Sequence, residues 1–358
     1  MSEIGVKIIA DSITDGGSRL VTWEWTYPRM IHAEIMTHRV ISRNLASSRA
    51  IPAKKMRERV EGGPVIPIEW GKNQKGMQAS EEVTDVDAAK DWWLRGMDQM
   101  LDHHEEGERL GLHKQIVNRV IEPWMYAVGV ITMTDHANLF HQRNHHAAEP
   151  HFQRLAKLAW EMFHEHMPTY RAPGEWHLPY VIDQDDGQTV SNEDLDFAQS
   201  NMKFDGVGAP LVPTLGRRTS FNANTNLLTE ANITVTVPGF TRSMTINDGA
   251  MAILRKLSTA RCARVSYLTH DGKRDPSEDL RLHDQLAGTF TSGDPGHFSP
   301  FEHQAEAVGG RQRIKNFEGW RQYRCYFENE AGPDTTERCE RCGCWTGRHV
   351  NNCPGAAP

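Results

Sequence analysis

Apolar and polar residues alternate through Val21-Thr22-Trp23-Glu24-Trp25-Thr26-Tyr27, the period-two pattern of a half-buried strand. Val6-Lys7-Ile8-Ile9-Ala10 reads as its partner, with Asp15-Gly16-Gly17 as the turn of a hairpin. A short helix is expected from about Arg29 to Met36, and after Pro52 a polar loop bearing Gly and Pro runs to about Ser80. One long helix is predicted over Glu81 to Leu110, and another from Leu112 that stops at Pro123. On the second, Gln115, Arg119 and Glu122 share one face, so Arg119 points among polar neighbours. Tyr126 to Thr134 is apolar and β-branched enough to be a buried strand or a helix. From Pro150, a residue suited to the first helical turn, Phe152, Leu155, Leu158, Ala159, Met162 and Phe163 trace a core-facing stripe. Residues 176–245 are richer in Asp, Asn, Gly and Thr and hold the strand-like Ile233-Thr234-Val235-Thr236-Val237. A helix from about Asp248 to Ala260 follows, and no internal repeat or low-complexity tract is visible.

The chain has 358 residues, 38% apolar and 24% charged, which leaves room for one substantial core or two smaller ones. A formal charge of −7 argues against a general nucleic-acid coat, because such proteins need a basic excess to displace counterions. No apolar run reaches membrane-spanning length and no signal peptide opens the sequence, so a cytoplasmic location without disulfides is expected.

The segment Thr37-His38-Arg39-Val40-Ile41-Ser42-Arg43-Asn44-Leu45-Ala46-Ser47-Ser48-Arg49 concentrates basic, amide and hydroxyl groups. His38, Arg39, Arg43 and Arg49 supply positive charge, and Ser47 and Ser48 add short donors beside backbone N–H groups. A phosphate or diphosphate suits such a cluster, because guanidinium offers a planar fork for bidentate contact. The spacing resembles the Arg-His-Arg-x7-Ser signature of the flavin-dependent thymidylate synthases, the ThyX-type family, with Thr37 in place of the first Arg.

Three further blocks resemble that family. Ala263-Arg264-Val265-Ser266, an acidic helix start at Ser277-Glu278-Asp279-Leu280, and Gly296-His297-Phe298-Ser299-Pro300-Phe301-Glu302-His303 are similar to its opening block. Asn118-Arg119-Val120-Ile121-Glu122-Pro123 is similar to its Ala-Arg-x-x-Leu-Pro. Asn138 to Arg143, with Ala148-Glu149, is similar to its Asn-x4-Arg block followed by Ala-Gln. The family's opening block stands here near the C-terminal end, so the resemblance implies a circular permutation, which is tolerated when the original termini are exposed and close. It implies an α+β fold of the thymidylate synthase-complementing type, with a mixed or antiparallel sheet and long helices. The expected organisation is a nucleotide- and flavin-binding part over 1–175, an insertion or bridging segment over 176–245, a flavin-binding part over 246–330 and a separate tail over 331–358.

By the same resemblance the activity is reductive methylation of dUMP to dTMP, with FAD as cofactor and NADPH and methylenetetrahydrofolate as co-substrates, in a homotetramer whose subunits share sites. Ser47, Arg49 and Arg119 are expected at the nucleotide 5′-phosphate, with Glu34 and Ser48 also facing the substrate. Arg143 is the candidate for polarising the pyrimidine, because a cation stabilises the enolate that makes C5 nucleophilic. Thr37, His38, Arg39, Asn44, Asn138, Ser266, His297 and Ser299 are expected around the flavin. Thr37 for Arg, Leu45 for an acidic residue, Glu34 for Gln, Ala50 for Tyr and Glu149 for Gln depart from the family pattern. They keep open a second reading, flavin-dependent C5 methylation or hydroxymethylation of another pyrimidine nucleotide, with dCMP or dUMP as substrate. His145, His146 and His151 cluster without a carboxylate at ligand spacing, so no metal is assigned there.

In the tail, Cys339, Cys342, Cys344, His349 and Cys353 form a short set of soft ligands that reads as a structural zinc knuckle, four of the five binding. Cys262 and Cys325 read as buried or incidental, with no catalytic thiol required. The tail and the basic motif together define a third reading, a non-catalytic zinc-containing nucleic-acid-binding protein, against which the acidic balance counts.

Overall fold

The expected hairpin forms, with β1 (Gly5–Thr14) antiparallel to β2 (Arg19–Pro28). Gly16 and Gly17 take φ of +88° and +80° in its turn, a region open to glycine at little cost. These elements belong to a computed structural model that describes residues 3–181, 190–201, 231–237, 240–246, 248–270, 275–288 and 296–327.

A 3-10 turn (Arg29–Ile31) and the short helix α1 (His32–Ile35) lead from β2 to β3 (Ser42–Leu45). After α2 (Ala53–Gly62), the long helix α3 covers Val86–Arg109; it begins later than Glu81 because the Asp85 side chain caps the Ala88 N–H at 2.9 Å. The helix expected from Leu112 to Pro123 is interrupted. Only α4 (Lys114–Val117) is α-helical, and Asn118–Trp124 continues as 3-10 turns around Pro123, whose missing N–H and ring disfavour regular α geometry. Gln115, Arg119 and Glu122 therefore do not share one continuous α-helical face.

Tyr126–Met133 is a strand, β4, and it is followed by α5 (His136–Arg143), α6 (Pro150–Glu165) and β5 (Thr169–Arg171). The main sheet has the order β3-β4-β2-β1-β5, antiparallel except for the parallel β1–β5 edge, so the class is α+β with a mixed sheet. On one face Trp23, Trp25, Tyr27, Ile131 and Met133 pack against Leu139 and Phe140 of α5 and Phe152, Leu155 and Ala159 of α6. The Glu149 carboxylate caps α6 by accepting from the Phe152 N–H at 2.9 Å.

The other face is covered by the C-terminal half. It contains β6 (Trp176–His177), α7 (Asn192–Ser200), the hairpin β7 (Ala231–Val237) and β8 (Phe240–Ile246), α8 (Asp248–Arg264), α9 (Pro276–Leu286), β9 (Ala305–Ala307), β10 (Arg313–Ile314), β11 (Phe317–Glu318) and β12 (Trp320–Gln322). Val128 and Val130 of β4 meet Cys262 and Val265 there, so β4 is covered on both sides. Arg261 of α8 joins Asp194 of α7 at 2.5 Å and Asp279 of α9 at 3.1 Å, and Arg264 reaches the same Asp279 at 2.7 Å. Every charge in this buried network has an opposite partner, and the network fixes the three helices relative to one another.

A second buried polar chain crosses the sheet. Ser12 Oγ meets His177 Nδ1 at 2.9 Å, His177 Nε2 meets Thr22 Oγ1 at 2.8 Å, and Thr22 and Thr132 meet at 2.8 Å. Thr132 Oγ1 ends the chain on His303 Nδ1 at 2.8 Å. Burial holds His177 and His303, and also His136 beneath Trp23 and Phe163, at a pKa of about 3 against an ordinary 6.5. The unfolded chain takes up these protons below pH 6.5 whereas the folded chain does not. Their contribution is therefore complete above pH 6.5 and is lost as pH falls towards 3. By about pH 5 the loss is roughly 2 kcal/mol for each histidine. Thermal melts should show a clear fall of Tm between about pH 7.5 and pH 5, and a Tm unchanged over that interval would refute this account.

Candidate functional site

The side chain of Asn44, on β3, ties together distant parts of the chain. Its Nδ2 donates to the Cys262 carbonyl at 2.8 Å, and its Oδ1 accepts from the hydroxyls of Ser266 at 3.1 Å and Ser299 at 3.2 Å. Three residues along, the Ser47 N–H donates to the Ser266 carbonyl at 3.1 Å. β3 itself is held by Ser42, whose Oγ accepts from Gln322 Nε2 at 2.8 Å and Asn316 Nδ2 at 3.1 Å.

This junction borders a cavity of about 450 Å³. Seven of the residues expected from the sequence line it: Asn44, Ser47, Ser48, Arg119, Ser266, His297 and Ser299. Arg29, His32, Met36 and Arg43 also line it, with Leu45, Ala46, Ala50 and Tyr267. Of these, Arg43 shows in the sequence only as general positive charge. Arg29 and His32 lie three residues apart in a short helical segment, a spacing that places both on one side and was the signal available in the sequence.

The loop at Ser47 is positioned from behind. Asn118 Nδ2 donates to the carbonyls of Ser48 at 2.8 Å and Ile51 at 3.1 Å, and Asn118 Oδ1 is met by His104 Nε2 of α3 at 3.2 Å. Glu122 collects the donors of the wall: Ser48 Oγ at 2.8 Å, Arg119 Nη1 at 3.3 Å and Arg29 Nε at 3.9 Å.

His32 is a neutral member of this cationic surface. Burial, together with Arg29 and Arg43, depresses its pKa to about 4. Tyr27 is buried with its pKa pushed up, so it keeps its proton, and its Oη lies 3.1 Å from His32 Nδ1. We assign the phenol as donor, which leaves the imidazole proton on Nε2.

Arg143 is placed differently from the expectation. Its Nε donates to His38 Nε2 at 2.9 Å, its Nη2 donates to Thr37 Oγ1 at 2.9 Å, and its Nη1 lies 3.8 Å from Glu34. The guanidinium also sits 4.8 Å above the Phe152 ring. This cluster of Glu34, Thr37, His38 and Arg143 does not line the cavity, although Met36, next to Thr37 in sequence, does. His38 is not the positive charge expected from the sequence, since it accepts from Arg143, and burial and that guanidinium lower its pKa. Arg39, Arg49 and Asn138 are exposed and are not part of the wall, so the phosphate role expected of Arg49 has no support within one chain.

His151 donates through Nδ1 to Glu149 at 2.5 Å and accepts at Nε2 from the Ile68 N–H at 3.2 Å, so both its nitrogens serve the protein. Among the described residues no group of His, Cys, Asp and Glu is arranged to hold a metal ion, and no helix is long and apolar enough to cross a membrane. The five tail ligands expected for zinc, Cys339, Cys342, Cys344, His349 and Cys353, lie outside the described residues.

No protein-family model matches the chain, and no curated protein matches it. Among solved structures it is similar to the UMP/dUMP methylase PolB from Streptomyces cacaoi bound with 5-Br dUMP, at 16% identity and a TM-score of 0.37 over 46% of this chain and 91% of that one. The same methylase bound with 5-Br UMP is similar at 17% identity and a TM-score of 0.33, over 46% of this chain and 88% of that one. Likeness this distant leaves function to be decided by the site itself.

Asn44→Ala removes one donor and one acceptor from a buried junction and leaves the Cys262 carbonyl without that partner. Denaturant unfolding should show a loss of roughly 1–3 kcal/mol. Asn138→Ala, at an exposed position on α5, should stay within about 0.5 kcal/mol of the parent. Equal stability of the two variants would contradict the role given to Asn44.

Proposed function

We propose that this protein is a flavin-dependent enzyme that transfers a one-carbon unit to C5 of a pyrimidine nucleotide, and that its reaction is the reductive methylation of dUMP to dTMP. The observation that carries the reading is the meeting of Asn44 and Ser47 with Ser266 and Ser299 at the rim of one cationic cavity. Those four residues come from two motifs of the same resemblance, which lie at opposite ends of the chain.

The donor set fits phosphate-bearing ligands, since three guanidinium groups and the hydroxyls of Ser47, Ser48, Ser266 and Ser299 face one space. FAD would supply the hydride that completes the methyl group, with NADPH as the reductant and methylenetetrahydrofolate as the carbon donor. Ser47, Ser48 and Arg119 hold the nucleotide phosphate, which fixes the distance of the base from the cofactor. Ser266, His297 and Ser299 face the flavin. Stabilising the enolate of the pyrimidine needs a cation, and Arg43 takes that role in this chain because it lines the cavity and its Nη1 is held on the Ile41 carbonyl. Arg143 acts as a positioning residue for Thr37 and His38. The proposed assembly is a homotetramer, and the permuted order of motifs is part of the same proposal.

One observation favours a second reading with the same flavin chemistry. Thr37 stands where the family has Arg and itself accepts from Arg143, so one cation is absent and another is engaged. That change fits a different pyrimidine, such as dCMP, or a hydroxymethyl product. The nucleic-acid-binding reading rests on the tail, which lies outside the described residues, and on the basic motif, whose Arg43 faces a cavity while Arg39 and Arg49 are exposed.

The purified protein should be yellow, or become so with FAD, and should convert dUMP to dTMP in the presence of methylenetetrahydrofolate and NADPH. Mass spectrometry of parallel reactions with dUMP and dCMP separates the two readings. A protein that stays colourless after reconstitution overturns both. Arg119→Ala should raise the nucleotide KM about tenfold or more with kcat little changed, whereas Arg43→Ala should lower kcat at unchanged flavin content. The opposite split would show the roles exchanged.

A further inference from the structure

Glu122 is an acidic residue at the edge of a site built for anions, and it stands where the family's Ala-Arg-x-x-Leu-Pro block carries Leu. It does not line the cavity, yet its two carboxylate oxygens face Ser48 Oγ at 2.8 Å, Arg119 Nη1 at 3.3 Å and Arg29 Nε at 3.9 Å. It also acts electrostatically on His32 across the wall. Three of the groups that present donors to the cavity are thus backed by one negative charge.

We propose that Glu122 sets the phosphate-chain preference of this cavity, favouring a nucleoside monophosphate over the diphosphate. The inference rests on the nucleotide reading above. Arg29, Arg43 and Arg119 bring three formal positive charges to the wall and Glu122 removes one, while His32 stays neutral. The resulting excess of two matches a phosphate monoester, which carries roughly −1.5 to −2 near neutral pH. A diphosphate brings further negative charge towards the same carboxylate, and the penalty grows with every unit added. Glu122 also keeps Ser48 and Arg119 in place by hydrogen bonding, a function that glutamine preserves and leucine does not.

Calorimetric titration of the full-length parent, Glu122→Gln and Glu122→Leu with dUMP, dUDP, inorganic phosphate and pyrophosphate tests this. In Glu122→Gln the ratio of monophosphate to diphosphate affinity should move about fivefold or more towards the diphosphate, and the phosphate-to-pyrophosphate ratio should move the same way. Glu122→Leu should show the same shift in ratio together with weaker binding of both members of each pair. A merely structural role predicts equal weakening in Glu122→Leu and unchanged ratios in Glu122→Gln, and that result overturns the proposal. Ratios that shift for phosphate and pyrophosphate while neither nucleotide binds the parent would sustain the role of Glu122 and overturn the nucleotide reading. If the parent binds none of the four, both fall.

Discussion

The hydrogen bonds of Asn44 are the constraint on which the site depends. β3 is an edge strand, paired only with β4 in the main sheet, and an unpaired edge is a place where a strand can slip or pair wrongly. Here its side chains are fastened instead, Ser42 by Gln322 and Asn316, and Asn44 by Cys262, Ser266 and Ser299. A side-chain amide with both its oxygen and its nitrogen bonded in a buried place tolerates little displacement, because any lost partner leaves a polar group stranded. The loop that follows, Ser47 to Ile51, inherits that placement and is braced from its far side by Asn118 and His104. The cavity is the space these two anchors leave between them.

Charge around that space is managed as closely as its shape. A wall of three arginines with nothing behind it would repel itself, and Glu122 lies between two of them while accepting from Ser48. The same positive field, with burial, keeps the imidazole of His32 unprotonated, so the wall offers a neutral donor beside its cations. Beside the cavity, Arg143 is drawn onto Thr37 and His38, which makes it a tie between α5 and the basic motif.

Much of this could be read from residues alone, and the failures have physical causes. The hairpin, the stripe of α6 and the helix before Ala263 follow from period and punctuation, which are local properties. β4 stayed ambiguous because a strand covered on both faces loses its alternation and shows only an apolar run. The helix after Leu112 is less regular than its sequence implies, because the effect of Pro123 reaches back through Asn118–Trp124 as 3-10 turns. Within the site, Ser47, Ser48, Ser266, Ser299 and Asn44 line the cavity because backbone geometry close in sequence places short side chains, whereas Thr37 and Asn138 lie outside it. Long cations were harder. Arg29 and Arg43 line the cavity while Arg49 and Arg39 are exposed; the spacing of Arg29 to His32 marks a shared side, but for the three arginines of the basic motif nothing in the order of residues says which way so flexible a side chain turns.

The same reasoning explains why an order of motifs reversed along the chain is compatible with one site. Ser266 and Ser299 reach Asn44 through hydrogen bonds whose strength depends on distance and angle, and not on how many residues separate the partners. Changing the connectivity alters the entropy of closing the intervening loop, which grows only slowly with its length. It leaves the packed contacts of the native state as they were. The two ends of this chain are also held by more than the site, since the buried path from Ser12 through His177, Thr22 and Thr132 to His303 binds the first strand to the last block independently of Asn44. With two separate sets of bonds joining the halves, the cavity does not need covalent continuity between its motifs, and on the proposed permutation it is this redundancy that lets the order of the chain change while the site remains.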